Sequence, residues 1–136
     1  MATTKPQKIV PKQVKEFLAD AEKKAVAARK NLVIDEETAY LTAYQAVLKA
    51  SLALMLSHGQ RPRVQLGHHI AILEFAQKHL DPALAPTFDL FDRMRRKRNV
   101  AFYDIALIGE VEADEAVAAA EAYMPIVAAD IKKRIH

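Results

Sequence analysis

The sequence predicts an all-α fold, an antiparallel bundle of about five helices. Three observations support this prediction. Ala, Leu, Glu, Lys and Arg, which favour helices, are abundant in the 136 residues, and there are only three glycines. No alternating apolar and polar run predicts a β-strand, and no Asn-Gly hairpin signal is present. Apolar residues instead recur at helical spacing. We expect a flexible segment at 1–10 and a single helical domain at 11–136.

The first two predicted helices have recognisable ends. The first covers about 11–31, and it begins at Pro11, a residue favoured in the first turn of a helix. The second begins after Asp35, a predicted N-cap, and ends near Gly59, which suits a left-handed C-cap. The second helix is apolar around most of its circumference. We therefore expect it at the centre of the bundle.

The third and fourth predicted helices are separated by a proline-containing break. The third covers about 63–80, and the break is DPALAP at 81–86. The fourth begins near Thr87, continues through a strongly basic segment to about Ile108, and ends at Gly109. Because the connections are short, neighbouring helices should be antiparallel.

The fifth predicted helix covers about 111–134. Acidic residues open it and the basic run KKR closes it, which is the charge order that complements a helix dipole. Pro125 lies inside this helix and should kink it.

Composition narrows the class of protein. The absence of cysteine excludes a disulfide framework, a thiolate metal site and a Cys nucleophile, and it suits a reducing cytoplasm. The longest uncharged apolar stretch, Ala50–Ser57, is far shorter than the roughly 20 residues of a membrane span. The histidines lack the spacing of a metal site. We expect a cytoplasmic protein with no membrane partner, no metal and no cofactor.

The segment DRMRRKRNVAFYD, at 92–104, holds the densest positive charge in a chain whose net charge is only +3. On a helical wheel of about 100° per residue, one face carries Phe91, Met94, Arg95, Arg98, Phe102 and Ile105. Arginines within an apolar stripe need acidic partners, a route to water or an anion. Two readings stay open: an ion-paired surface, or a nucleic-acid contact through Arg95, Arg96, Lys97 and Arg98.

Three segments between Tyr40 and Tyr103 resemble the HEPN superfamily of small all-α domains with RNA- and nucleotide-related roles. They are AYQAVLKASLALMLSHGQRPR at 43–63, GHHIAILEFA at 67–76 and RKRNVAFYD at 96–104. The resemblance implies an RNA- or nucleotide-binding protein, with metal-independent endoribonuclease activity of toxin–antitoxin or defence type as a further expectation. It also implies an alternative of another class: a non-catalytic interaction module for a protein partner such as a nucleotidyltransferase-type antitoxin.

Catalytic members of that superfamily carry Arg, a polar residue, three residues and then His. Arg98 matches the arginine, Asn99 the polar position and Tyr103 the histidine position, so the resemblance implies these three as catalytic residues. The departure is Tyr103. A tyrosine titrates near pH 10, so at neutral pH it can donate a hydrogen bond or a proton but is a poor general base.

The spacing of this motif predicts a homodimer. Arg98 and Tyr103 are about 140° apart on a straight helix, so one copy cannot easily aim both at one phosphate. Two copies related by a two-fold axis can. We expect an interface that includes the fourth helix, with Phe91, Met94 and Phe102 surrounding Arg95 and Arg98. Tyr44 and His68 are further residues that we expect to line the site.

Overall fold

The helical bundle predicted from the sequence is confirmed by a computed structural model that describes residues 4–63 and 68–135. Within these residues the five helices are α1 Pro11–Asn31, α2 Glu36–Ser57, α3 His68–His79, α4 Ala85–Tyr103 and α5 Glu110–Lys132. A short 3-10 turn, Pro82–Leu84, precedes α4. Two three-residue strands, β1 Thr4–Pro6 and β2 Gln60–Pro62, complete the described elements.

Helix α2 is the central element and packs against each of the other four helices. Its predicted ends are confirmed: the Asp35 carboxylate accepts the Thr38 N–H at 3.1 Å, and Gly59 has φ of +71°. By length and composition α2 could also cross a membrane. However, 67% of its most apolar window is buried inside the bundle, as in a core helix.

Small side chains let α1 and α2 lie close together. Alanines on both helices are buried, including Ala21 and Ala28 on α1 and Ala39, Ala43 and Ala46 on α2. Because alanine carries only a methyl group, the two backbones can approach each other closely. The α1–α2 pair therefore forms the most extensive helix–helix contact among the described residues.

An aromatic cluster fixes α4 against α2 and α5. The rings of Phe91 and Tyr123 meet edge-on with centroids 4.9 Å apart, and Phe88 packs against both. The Tyr123 hydroxyl lies 2.7 Å from Oγ of Ser51 in a fully buried hydrogen bond. Burial raises the pKa of Tyr123, so its hydroxyl stays protonated. This cluster sets the position of α4, and with it the basic segment, along α2.

The two strands are a departure from the sequence prediction, which expected none. β1 pairs antiparallel with β2, with Lys5 opposite Arg61, and the Gln7 N–H donates to the Gly59 carbonyl at 2.9 Å. Three-residue strands that each contain a proline offer no alternation for sequence analysis to detect. The N-terminal segment 1–10 was expected to be flexible. The strand pairing instead holds part of it against the end of α2.

Helix α4 ends at Tyr103 and not near Ile108, as the sequence had predicted. Asp104 has an extended backbone, and its carboxylate accepts the N–H of Ile105 at 2.8 Å, a local bond that competes with helix formation. Ile105 therefore lies beyond the helix and not on its apolar face.

The third helix was predicted to begin near residue 63. Residues 64–67 lie outside the described residues, and within the described part α3 begins at His68.

Candidate nucleic-acid interface

Most cations of the basic segment have acidic partners. Arg95 and Arg96 share Asp92, at 3.0 and 2.6 Å. Lys97 reaches Glu112 on α5 at 2.6 Å, and Arg93 lies 3.8 Å from Glu115. The ion-paired reading of the segment is therefore confirmed for these four cations.

The carboxylate of Asp92 is held in its charged form by its two arginines. Burial raises the pKa of Asp92, but the hydrogen bonds and positive charge of Arg95 and Arg96 outweigh burial, and the pKa lies below its usual range. One carboxylate offsets only one of these two positive charges, so the cluster of Arg95, Asp92 and Arg96 keeps a net positive charge.

Arg98 is different from its neighbours. Within the described ranges 4–63 and 68–135, no carboxylate lies within 4.0 Å of its guanidinium. Its contacts are a 3.4 Å hydrogen bond to Oδ1 of Asn99 and the ring of Phe102, whose centroid is 5.7 Å from Cζ. The side chain is half-buried, so its charge is only partly solvated.

Arg98 opens onto a cleft between α2, α3 and α4, with a volume of about 490 Å³. Its lining is mainly apolar with a few polar groups, and consists of Leu41, Tyr44, Gln45, Leu48, Lys49, His69, Arg98, Ala101 and Phe102. Lys49 is paired with Asp20 at 2.8 Å. Arg98 is therefore the cation of this cleft whose charge is uncompensated within the described part of the chain.

Tyr44 and His69 form the polar floor of the cleft. The Tyr44 hydroxyl lies 3.0 Å from Nδ1 of His69, and the ring centroids are 5.8 Å apart. Burial raises the pKa of Tyr44, so its hydroxyl stays protonated. When Nδ1 accepts that proton in a hydrogen bond, Nε2 of His69 carries the ring proton and is a donor.

His69 is neutral at pH 7. Burial, and after it the charges of His68, Arg98 and Arg95, together lower the pKa of His69 to about 4. An anion bound beside Arg98 would oppose these effects. Ligand binding and protonation of His69 are therefore coupled, and each favours the other.

The first testable prediction concerns this titration. His69 has an ordinary pKa near 6.5 when unfolded, so between about pH 6.5 and 4 the folded state binds fewer protons. Its contribution to stability is complete above pH 6.5 and is lost as the pH falls to about 4. An NMR titration of the imidazole should show a midpoint well below 6.5, and Arg98→Ala should move it upward because one repelling charge is gone.

The control for this titration is Arg96→Ala, which removes an equal charge that points to Asp92 and not to His69. The groups that face His69 are Tyr44 on α2, His68 beside it, and Arg95 and Arg98 on α4. A midpoint near 6.5 in the unmodified protein would contradict the burial of this ring.

The predicted catalytic residues are only partly brought together. Arg98 and Asn99 touch, with Asn99 on the exposed side. Tyr103 is 86% exposed, is the last residue of α4 and does not line the cleft; its ring contacts Phe102 at a centroid distance of 4.9 Å. Within one protomer, Tyr103 and Arg98 therefore do not face one site.

The residues expected to surround the arginines at a dimer interface require a correction. Phe91 and Met94 are 0% exposed within the protomer and belong to its core, so neither can contact a second copy. Phe102 is 69% exposed, so its ring remains accessible to a second copy of the chain. The prediction of an apolar stripe on α4 was correct, but the first half of that stripe packs against α2 and α5 and not against a second copy.

Of the two residues predicted to line the site, Tyr44 lies in the Arg98 cleft, whereas His68 lines a neighbouring one. His69 occupies the place expected for His68. Helical spacing in the sequence could not have chosen between the two, since His68 lies four residues before Ile72 and His69 lies four residues before Leu73, both buried.

No three His, Asp or Glu side chains in the described residues converge so as to hold a metal ion. The chain matches no protein-family model, no curated protein and no solved structure. The chemistry of the cleft is therefore argued from its own side chains.

Proposed function

We propose that this protein is a HEPN-like helical protein that binds RNA or a nucleotide, with a phosphate group held by Arg98. One observation carries the proposal: Arg98 is half-buried as a residue, and its guanidinium has no carboxylate partner among residues 4–63 and 68–135. A partly desolvated cation of this kind is stabilised by a bound anion. A guanidinium also matches the oxygens of a phosphate better than an ammonium does.

The remaining lining of the cleft supports a nucleotide over a bare anion. Its volume of about 490 Å³ falls within the range of small-ligand sites. The exposed ring of Phe102 at its rim is a surface on which a base can stack. Gln45 and Nε2 of His69 supply hydrogen-bonding groups for a base edge or a ribose hydroxyl.

The proposal includes a homodimer formed through an exposed apolar segment. The segment runs from the last turn of α4 to the first turn of α5, and its exposed apolar residues are Phe102, Tyr103, Ile105, Leu107 and Val111, each at least 69% exposed. Exposed apolar residues grouped in this way are typical of an interaction site. Because the segment adjoins Arg98, a two-fold contact through it would place the two clefts near each other.

Cleavage of RNA by Arg98 and Tyr103 would require that dimer. Tyr103 lies outside the cleft of its own protomer, so a second copy must supply the tyrosine. There the ribose 2′-hydroxyl would bond to phosphorus and lose its proton to solvent, while the bond from phosphorus to the 5′-oxygen breaks and Tyr103 gives that oxygen a proton. Arg98 would stabilise charge on the phosphate and Asn99 would orient it. Binding of RNA without cleavage does not require the dimer.

The alternative, a non-catalytic module for a protein partner such as a nucleotidyltransferase-type antitoxin, is favoured by a separate observation. Four cations of the basic segment already have acidic partners, and the apolar segment beside them is exposed. A lack of RNA affinity at low salt would favour this alternative.

The second prediction tests the binding site with a fluorescently labelled single-stranded RNA at low salt. Arg98→Ala should weaken binding by about 1.5–3 kcal/mol, the usual value of hydrogen bonds to a charged group such as a phosphate. Arg96→Ala is the matched control, since it removes an equal charge from a side chain that is 64% exposed and paired with Asp92. Fluorescence anisotropy measures both.

Equal losses in these two variants, or no binding of RNA by the unmodified protein, would overturn the proposal. Cleavage is followed in the same samples on a gel. If cleavage occurs, it should fall in Arg98→Ala and persist or rise in Tyr103→His, because histidine can both give and take a proton near neutral pH.

A further inference from the structure

A second cleft lies beside the first, where β1 and β2 meet α2 and α3. Its volume is about 420 Å³, and cations surround it: Lys5 on β1, Arg61 on β2, Arg63 just after β2, and Lys49 on α2, together with the imidazole of His68. Its apolar floor is formed by Leu48, Leu52 and Ile72. Among the described residues that line it, none is acidic.

Three of these cations have no compensating charge in the described part of the chain. Lys5, Arg61 and Arg63 form no ion pair and no side-chain hydrogen bond with residues 4–63 or 68–135. Residues 1–3 and 64–67 contain no Asp or Glu that could supply a side-chain partner. The charge at this cleft is therefore positive on balance.

The strand register brings two of these like charges together. Lys5 and Arg61 are paired residues in the β1–β2 ribbon, and like charges opposite each other destabilise a strand pair. Neither Thr4–Pro6 nor Gln60–Pro62 contains an acid to offset this. Lys5 and Arg61 across the ribbon, with Arg63 two residues further along the chain, form a group of cations that a polyanion would stabilise.

The two clefts share Leu48 and Lys49, so they are adjacent along α2. The α2 residues that line them extend from Leu41 to Leu52, which at 1.5 Å per residue is about 16 Å of helix. A group with one phosphate can occupy only one of these positions at a time. A strand with several phosphates can occupy both.

We propose that Lys5, Arg61 and Arg63 bind successive phosphates of a single-stranded RNA whose neighbouring phosphate lies at Arg98. This inference rests on the proposed function and defines its ligand: an oligonucleotide that runs along α2 across both clefts. The exposed walls carry flexible, permanently charged side chains and few directional acceptors, so this second site contacts backbone and reads no base.

The third prediction compares two triple variants that remove the same charge. Lys5→Gln with Arg61→Gln and Arg63→Gln empties the second cleft of its unpaired cations. Lys23→Gln with Lys30→Gln and Lys132→Gln is the control, since these exposed residues line neither cleft. Binding of a labelled single-stranded RNA of about a dozen nucleotides is measured by anisotropy over a range of salt concentrations.

The cleft variant should bind on the order of 10- to 100-fold more weakly at low salt, with a salt slope reduced by about two, as expected for three lost single-strand phosphate contacts. The control should bind like the unmodified protein. The melting temperature of the cleft variant should not fall, because the substitution removes repulsion between Lys5 and Arg61.

The outcomes separate this inference from the function it rests on. If Arg98→Ala weakens binding but the cleft variant matches the control, the second site is overturned and the proposed function stands. If the cleft variant weakens binding and Arg98→Ala does not, the second site stands and the role of Arg98 is overturned. If the unmodified protein binds no RNA at low salt, both are overturned.

Discussion

Replacing Phe91 with Ala is expected to lower the free energy of unfolding by about 3–5 kcal/mol, the usual cost of removing a buried aromatic ring. Phe91 is 0% exposed, and its ring packs edge-on against Tyr123 and Phe88. Alanine would leave a cavity at the point where α4 is held on the bundle. Urea unfolding followed by circular dichroism measures the loss.

Val100→Ala is the control for this fourth prediction. Val100 lies on the same helix, is 50% exposed and lines neither cleft, so its truncation should change the free energy of unfolding by less than about 0.5 kcal/mol. A loss in Phe91→Ala no larger than that of the control would contradict the burial of Phe91.

The pair Ile105→Asp and Leu107→Asp is expected to convert a dimer to monomers. These side chains are 79% and 85% exposed in the protomer. In a two-fold interface each substitution changes both sides of the contact. Acidic residues there would meet like charges from the second copy, so the dissociation constant should rise by at least roughly 100-fold. Light scattering coupled to gel filtration measures the mass.

Val33→Asp with Ile34→Asp is the control for this fifth prediction. The two residues are 92% and 76% exposed in the connection between α1 and α2, so they give an equal loss of apolar surface at another place. The control should leave the mass unchanged. A protein that is monomeric at every concentration before any substitution would remove the dimer from the proposal.

The sequence predicted the helices well because each depends on local chemistry. Asp35 caps α2 through an atom three residues away, and Gly59 adopts the conformation that only glycine adopts freely. The early end of α4 was missed because the competing bond, from the Ile105 N–H to Asp104, is decided by one side-chain rotamer. No period in the sequence encodes it.

The site was predicted less completely, because a helical wheel gives directions but not neighbours. It placed Arg98 on an apolar face, yet it could not show that Phe91 and Met94 on that face meet the core while Phe102 meets solvent. That difference arises because α4 extends past the helices that cover its first half. The partner of Lys97, Glu112, was likewise knowable only once α4 and α5 were placed, whereas Asp92 lies one turn from Arg95 on the same helix.

The β1–β2 ribbon has a consequence for the local stability of the molecule. α1 and α2 are consecutive and pack together, which brings Pro11 and Ser57 to the same end of the helix pair, next to the two strands. Only three residue pairs join β1 to β2, and each strand contains a proline, which has no N–H to donate. We therefore expect the ribbon to open more easily than the bundle, which would remove one wall of the second cleft while the helices stay folded.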